Sequence, residues 1–393
     1  MKVLVVNAGS SSVKAQLMES TTGEVFAKFY CQRVGLNESF TDYKTTEKRV
    51  IKKDLANHRE AFQLIFDTLM DSEIGVISSL DEIKAIGHRG VNFGEEYKES
   101  FVVTDKALAD MKANVGFAPL HSPAIITGVE VCRELMPNIK NVVVLDISFH
   151  TTMPESSYIY PIPYEFYAEN KIRRYGAHGT SHRYIAMQCE KMFGDLKGKK
   201  IISCHIGSGS SLCAIKDGKC LDTTMGFTPL AGVVMGTRSG DIDPSIVKSI
   251  MEIKGVDING AIDILNKKSG LTGICGYSDL RDIDANLDQP RVKLAFDILV
   301  KSIKKYIGAY SAEMNGVDYI IFTAGVGEND NLVREAICKD MEYLGIDFDF
   351  DKNNTAPRGE VTKFTKEGSK VEVWRIPTDE EFVIAMDTAE LSK

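Results

Sequence analysis

One short unit occurs twice in this chain, and it restricts the fold more than any other feature. Residues 3–15 read VLVVNAGSSSVKA and residues 203–215 read SCHIGSGSSLCAI, so that Gly9-Ser10-Ser11 superposes on Gly209-Ser210-Ser211 with an apolar run on each side. Short apolar runs bounded by turn residues read as strands, and Gly, Ser and Asn are ordinary turn residues, so each copy predicts strand, small-residue turn, strand. A third strand, Ile320 to Thr323, ends in Ala324-Gly325-Val326-Gly327-Glu328-Asn329 with a helical pattern behind it. Turns of this kind can simply edge a sheet. They also suit phosphate, because only residues with little side chain let backbone N–H groups approach its oxygens. Three such turns suggest one nucleotide gripped from two lobes. The spacing matches neither G-x-x-x-x-G-K-[ST] nor the three-glycine dinucleotide fingerprint, so neither a P-loop enzyme nor a Rossmann dehydrogenase is supported.

A chain of 393 residues suits two domains rather than one core. Strand-like runs at Asn141–Leu145 and Tyr319–Phe322 alternate with helical patterns at Glu60–Met70, Ala124–Leu135, Val292–Ile307 and Leu332–Tyr343, which predicts an α/β chain. A net charge of −8 with scattered Lys and Arg gives no footprint for nucleic acid or an anionic membrane. No signal-peptide core or spanning segment is read, and the eight cysteines form no C-x-x-C pair. These features predict a cytoplasmic protein with reduced, mostly buried thiols and a small-molecule partner.

Chemistry-bearing groups gather among small residues in GHRGVNFG (87–94), APLHSP (118–123), LDISFH (145–150), YGAHGTSH (175–182) and MGTRSGDIDPS (235–245). His178 and His182, four apart, read poorly as a metal pair, because the Glu of H-E-x-x-H is missing and Gly179-Thr180 is a weak helix interior. Arg238 sits in a loop where its planar fork either grips an anion or pairs with Asp241 or Asp243.

Taken in order, NAGSSSVK (7–14), GHR (87–89), APLH (118–121), HGTSH (178–182), GFTPL (226–230), MGTRSGDIDP (235–244), FTAGVGEN (322–329) and PTDEE (377–381) resemble the acetokinase family over nearly the whole chain. That family belongs to the acetate and sugar kinase, heat-shock and actin superfamily. The resemblance implies two similar lobes of the actin-like ATPase, ribonuclease H-like fold, with mixed sheets flanked by helices and a cleft between them. The implied division is 1–148, 149–379 and a terminal helix at 380–393 returning to the first lobe. It also implies a homodimer and transfer of a phosphoryl group between ATP and a short-chain carboxylate, directly and in line, with Mg²⁺ or Mn²⁺ in its place. A propionate or butyrate kinase would share that mechanism. An ATP-driven clamp would share the fold but needs a partner-binding segment for which no residues are left over.

Carried over position by position, the resemblance assigns catalysis to Arg89, Asp146, His178 and Arg238, and the metal to Asn7 and Glu380. For Glu380 a second role is a helix start, with Thr378 and Glu381 as a capping box. Ser10, Ser12 and Lys14 would line the first hairpin. His205, Gly207, Ser208, Gly209, Asp279, Leu280, Arg281, Gly325, Val326, Gly327 and Asn329 would face the nucleotide. His121 and His205 would touch ligand or merely hold loops. The family pattern has an aromatic at Leu280 and usually Asn at Ser208. The acyl methyl would sit among Val91, Leu120, Pro229 and Ala177, the last replacing the usual Phe. This predicts room for a longer acid, with propionate used at least as well as acetate, unless Phe93, absent from the family pattern, takes the ring's place.

Overall fold

The computed structural model describes residues 1–118 and 121–393. Contacts divide the chain into two compact units, Met1–Ser148 with Asp379–Lys393, and Phe149–Thr378.

The first unit carries β1 (Lys2–Gly9), β2 (Ser12–Glu19), β3 (Val25–Gln32), β4 (Phe40–Lys44), β5 (Lys48–Lys52), β6 (Ala85–Gly90), β7 (Phe101–Val102) and β8 (Lys140–Leu145). They form one mixed sheet in the order β5-β4-β3-β2-β1-β6-β8-β7. The second unit carries β9 (Lys200–Ile206), β10 (Ser210–Lys216), β11 (Lys219–Thr223), β12 (Tyr319–Thr323), β13 (Thr362–Lys363) and β14 (Glu372–Arg375), ordered β11-β10-β9-β12-β14-β13. The strand sequence β3-β2-β1-β6-β8 of one unit is matched by β11-β10-β9-β12-β14 of the other. In both, the first three strands are antiparallel and the last two pair in parallel. The repeat read in the sequence is therefore a repeat of topology.

Its two turns differ. Gly9 pairs with Ser12, leaving the two-residue turn Ser10-Ser11, whereas Ile206 pairs with Ser210, leaving Gly207-Ser208-Gly209. Ser210 and Ser211 thus lie buried inside β10 rather than in the turn expected from the superposition.

β1 reads as an unbroken apolar run because both its faces are covered. Leu4 and Val6 meet Phe62, Ile65 and Phe66 of the helix His58–Leu69 and Val131 and Cys132 of the helix Ser122–Leu135. Val3 and Val5 meet Ile384 and Ala385 of the helix Glu380–Leu391. In the second unit Ile202, Cys204 and Ile206 pack under the long helix Pro290–Glu313, and Ile201 under Ile185 and Cys189 of the helix Gly179–Phe193. Leu332–Tyr343 is helical only from Asn331 to Cys338: Lys339 is extended, Asp340 takes φ 58°, and Glu342–Leu344 is a separate 3₁₀ turn. All eight cysteines are free and all but Cys275 are buried. Among the described residues no helix is long and apolar enough to cross a membrane.

Candidate active site

In the first unit the parallel strands β6 and β8 end side by side, so that Asp146 N donates to Gly90 O and Arg89 Nη2 donates to Asp146 Oδ2 at 3.0 Å. The Asp146 carboxylate raises the Arg89 pKa despite burial, and Arg89 Nε is a buried donor without a partner among the described residues. The helix Glu380–Leu391 comes down on these strands because position 87 is Gly. A Cβ there would lie 2.2 Å from Thr388 Oγ1 and 2.9 Å from Ile384 Cγ2. Its first turn then shares one pocket with Asn7, Lys14 and Arg89, lined also by Gln16 and Glu381. Burial pushes the Glu380 carboxyl up to about 7, with Arg89 opposing and Asp146 and Glu381 reinforcing the rise.

The capping box expected at Thr378 is not formed. Asp379 caps the helix, accepting from Phe382 N at 2.9 Å, while Thr378 N donates to Glu328 and Thr378 Oγ1 pairs with Ser181 Oγ. Lys14 lies over the Tyr30 ring at 4.9 Å. Ser10 lies in the hairpin turn and Ser12 at the start of β2, and neither lines this pocket. Val91 follows β6, half-buried; Leu120 lies outside the described residues. Phe93 is fully buried, its ring edge 3.5 Å from where a Gly90 Cβ would stand, on the side occupied by Val143 and Leu145.

In the second unit His178 adopts a left-handed backbone (φ 59°) immediately before the helix Gly179–Phe193. A non-glycine residue held there marks strain that the surrounding contacts must support. His178 Nδ1 lies 2.9 Å from Ser211 Oγ, and its ring stacks on His205 at 4.0 Å. His205 Nδ1 in turn lies 2.8 Å from Ser181 Oγ. His182 is buried between Ser203 Oγ and Ser211 Oγ, so it is a core histidine rather than half of a metal pair with His178. The three-residue turn leaves space beside these rings. A Cβ at Gly209 would stand 3.4 Å from both His178 Nε2 and Arg238 Nη1.

Arg238 Nη1 donates to Pro229 O at 3.2 Å and makes no ion pair among the described residues. Asp241 accepts from Gly232 N and Tyr306, and Asp243 from Ser245 N, so the alternative pairing of Arg238 with either acid does not occur. Ala177, just before His178, is buried with Met225 and Met235.

A separate pocket of this unit is lined by Gly207, Ser208, Asp279, Leu280, Arg281, Gly325, Val326 and Asn329, together with Thr237, Ser278, Asp284, Asp330, Asn331 and Arg358. Gly209 and His205 do not line it. Nor does Gly327: the glycine-bearing stretch is a short helix, Ala324–Asn329, in which Gly327 packs on β9 and its carbonyl accepts from Arg334 Nη1. Asp279 and Arg281 hold each other, and Leu280 is buried at the start of the helix Leu280–Asp284. Burial, with Asp330 adding to it, pushes the Asp284 carboxyl up to about 7.

The sequence profile of the acetokinase family matches residues 2–386. The chain belongs to the acetokinase family. It is 47% identical to an acetate kinase of Thermoanaerobacter pseudethanolicus over 400 aligned residues, covering 100% of this chain and 99% of the relative. It is 47% identical to acetate kinase 2 of Clostridium perfringens with the same coverage. The crystal structure of Porphyromonas gingivalis acetate kinase superposes with a TM-score of 0.94 at 44% identity, over 100% of both chains. A propionate kinase of Francisella tularensis subsp. tularensis gives 0.92 at 36% identity, over 99% of both. As an acetokinase-family member the chain is an enzyme, a phosphotransferase with ATP and ADP as co-substrates.

Within this acetokinase-family chain, sequence reasoning missed Gln16, Glu381, Asp284, Asp330 and Arg358. Glu381 was signalled by its neighbour Glu380. The others sit in polar stretches without a motif, and only the fold brings them to a pocket.

Proposed function

We propose that the chain catalyses reversible, in-line transfer of the γ-phosphoryl group of ATP to acetate, giving acetyl phosphate and ADP. The observation that carries this reading is the convergence of His178 Nε2 and Arg238 Nη1 over Gly209. A short-chain carboxylate, with a pKa of roughly 4–5, is already ionised at neutral pH, so no general base is required. The work left to the enzyme is to bring two anions together and hold the charge of the transferring group. Arg89, oriented by Asp146 and keeping an unpartnered Nε, binds the carboxylate. Arg238 and His178 donate to the phosphoryl oxygens, while the Gly207-Ser208 turn and the Asp279–Asn329 pocket take the nucleotide.

Asn7 and Glu380 fit a hard divalent cation, since both offer oxygen and the Glu380 carboxyl is held unfavourably among other acids. Mg²⁺, or Mn²⁺ in its place, would neutralise phosphate charge when bound there. The family reading also carries a homodimer and a cytoplasmic location.

A second reading, preference for propionate or butyrate, is favoured by the small Ala177 beside His178. Each added methylene that finds apolar space is worth roughly 0.8 kcal/mol, or about four-fold in kcat/KM. The test is hydroxamate trapping of acyl phosphate with acetate, propionate, butyrate and branched acids, each with ATP, GTP and pyrophosphate. Absence of any acyl phosphate overturns the proposal. Ala177→Phe should lower propionate use relative to acetate; an unchanged ratio would remove Ala177 from the acyl pocket.

A further inference from the structure

Next to His178 the second unit holds a cluster that phosphoryl transfer does not use. His150, Cys213 and Cys220 are all buried, at 1%, 0% and 2% exposure, and their ligand atoms lie within 4.8 Å of one another. His150 Nδ1 is 3.2 Å from Cys220 Sγ, and Cys213 Sγ donates to Cys220 Sγ at 3.4 Å. We propose that His150 Nδ1 and the sulfurs of Cys213 and Cys220 form a binding site for a thiophilic transition-metal cation of the zinc type.

The donor set is the first argument. One imidazole and two thiolates suit Zn²⁺ or a softer ion and are foreign to Mg²⁺. With bonds of about 2.0–2.3 Å, tetrahedral ligands stand roughly 3.5–3.8 Å apart, so the two contacts of Cys220 need only slight spreading, while His150 and Cys213 stand within 4.8 Å of each other. The second argument is orientation: His150 Nε2 lies 3.0 Å from Ala177 O, the outer hydrogen bond that typically fixes a metal-bound histidine and leaves its other nitrogen for the ion.

Strand geometry brings the two thiols together. Cys213 and Cys220 lie on neighbouring strands but are not register partners, since Cys213 faces Thr223 and Ile215 faces Cys220. A register shift between Ala214 and Ile215 separates the two pairings. Such a shift re-aims side chains, and β11 is the edge strand of its sheet. Binding needs no oxidant: the metal takes the place of the thiol protons of Cys213 and Cys220, and of the proton on His150 Nδ1 in the tautomer that carries one, and these leave to solvent. Because His150 holds the carbonyl of Ala177, an ion there displaces the turn that carries His178. This link rests on the catalytic reading of His178, whereas the site itself does not.

The test uses the full-length protein, reduced and stripped of metal, titrated with Co²⁺ as spectroscopic probe. The expected result is one equivalent bound per chain, with thiolate-to-cobalt charge transfer in the near ultraviolet and its loss on adding Zn²⁺. Cys213→Ser and Cys220→Ser should each lose the band and weaken Zn²⁺ binding by about 100-fold, while Cys275→Ser keeps both. Melting curves identify any variant that fails to fold, in which case Cys213→Ala or Cys220→Ala replaces it. No charge-transfer band in the unaltered protein, a band that survives in both serine variants, or recovery of a Cys213–Cys220 disulfide from protein that takes up no metal would each overturn the site. With the site shown filled, Zn²⁺ should lower turnover at saturating Mg²⁺ in the unaltered chain but not in Cys220→Ser. Unchanged turnover would overturn only the link to His178.

Discussion

Among the described residues Arg238 Nη1 meets only the Pro229 carbonyl and the Met235 sulfur, and no acid, so its other donors are not committed to the fold. Lys at that position keeps the charge but loses the planar fork. Arg238→Lys should therefore cost turnover by about 100-fold or more with little change in melting temperature, because the lost contact is made to the transferring group. Steady-state kinetics on a variant with normal melting would check it; near-normal kcat would reduce Arg238 to a loop residue. Glu380 makes the pH prediction. Its native value of about 7 lies above the ordinary 4.5, so its contribution to stability is complete below the ordinary value and is lost as pH rises through about 7. Glu380→Gln should accordingly gain in relative melting temperature between about pH 5.5 and about pH 8.5 without metal, and Mg²⁺ should stabilise the parent chain more at the upper pH. A parallel pH course for both proteins would mean Glu380 is not the buried titrating group. The arginine and the acids were legible from motifs. The partnering was not: whether Arg238 met Asp241 or an open site depended on Gly232 and Tyr306, which claim that carboxylate from elsewhere in the chain.

Among the elements, the terminal helix shows how a strand glycine can set a site. Gly87 leaves no atom between β6 and Thr388, and this close approach lets the first turn of the helix reach the end of β6 where Arg89 stands. Gly87→Ala should destabilise by roughly 1–3 kcal/mol, the usual cost of overpacking, and should raise the Mg²⁺ requirement as well. Adding Thr388→Ala, which removes the nearest clashing atom, should restore part of both; denaturant melts and magnesium titrations would show it. No rescue would mean the clash lies with Ile384 or the backbone. The hairpins and the main helices were readable because apolar periodicity and turn residues are local signals. The cap was not: Thr378 and Asp379 both suit an N-cap, and the choice falls to Asp379 because Thr378 is bound to Ser181 and Glu328. The end of the helix Asn331–Cys338 was hidden for a similar reason, since Asp340 adopts a left-handed turn with no glycine to announce it.

For the molecule as a whole, the legible part was duplication: two short glycine-serine turns showed a strand-turn-strand unit occurring twice, and the structure extends that repeat to a shared strand order. Which distant segment finishes the first unit was not readable from the residues themselves; the return of a terminal helix at 380–393 was implied only by the family resemblance. The face of the first sheet bearing Val3, Val5, Val142 and Val144 is covered by Ile384 and Ala385 from the far end of the chain. The second unit, by contrast, is one continuous stretch, Phe149–Thr378. Expressed alone, 149–378 should melt cooperatively, whereas 1–148 should expose its apolar face and aggregate unless a peptide of 379–393 is supplied; calorimetry and light scattering would decide. This discontinuity fixes an order of events on the ribosome. The half synthesised first must wait, one sheet face wet, until the final helix emerges, so the half synthesised second is free to mature before it. A stop codon just before residue 379 would then damage the first unit, leaving the second intact.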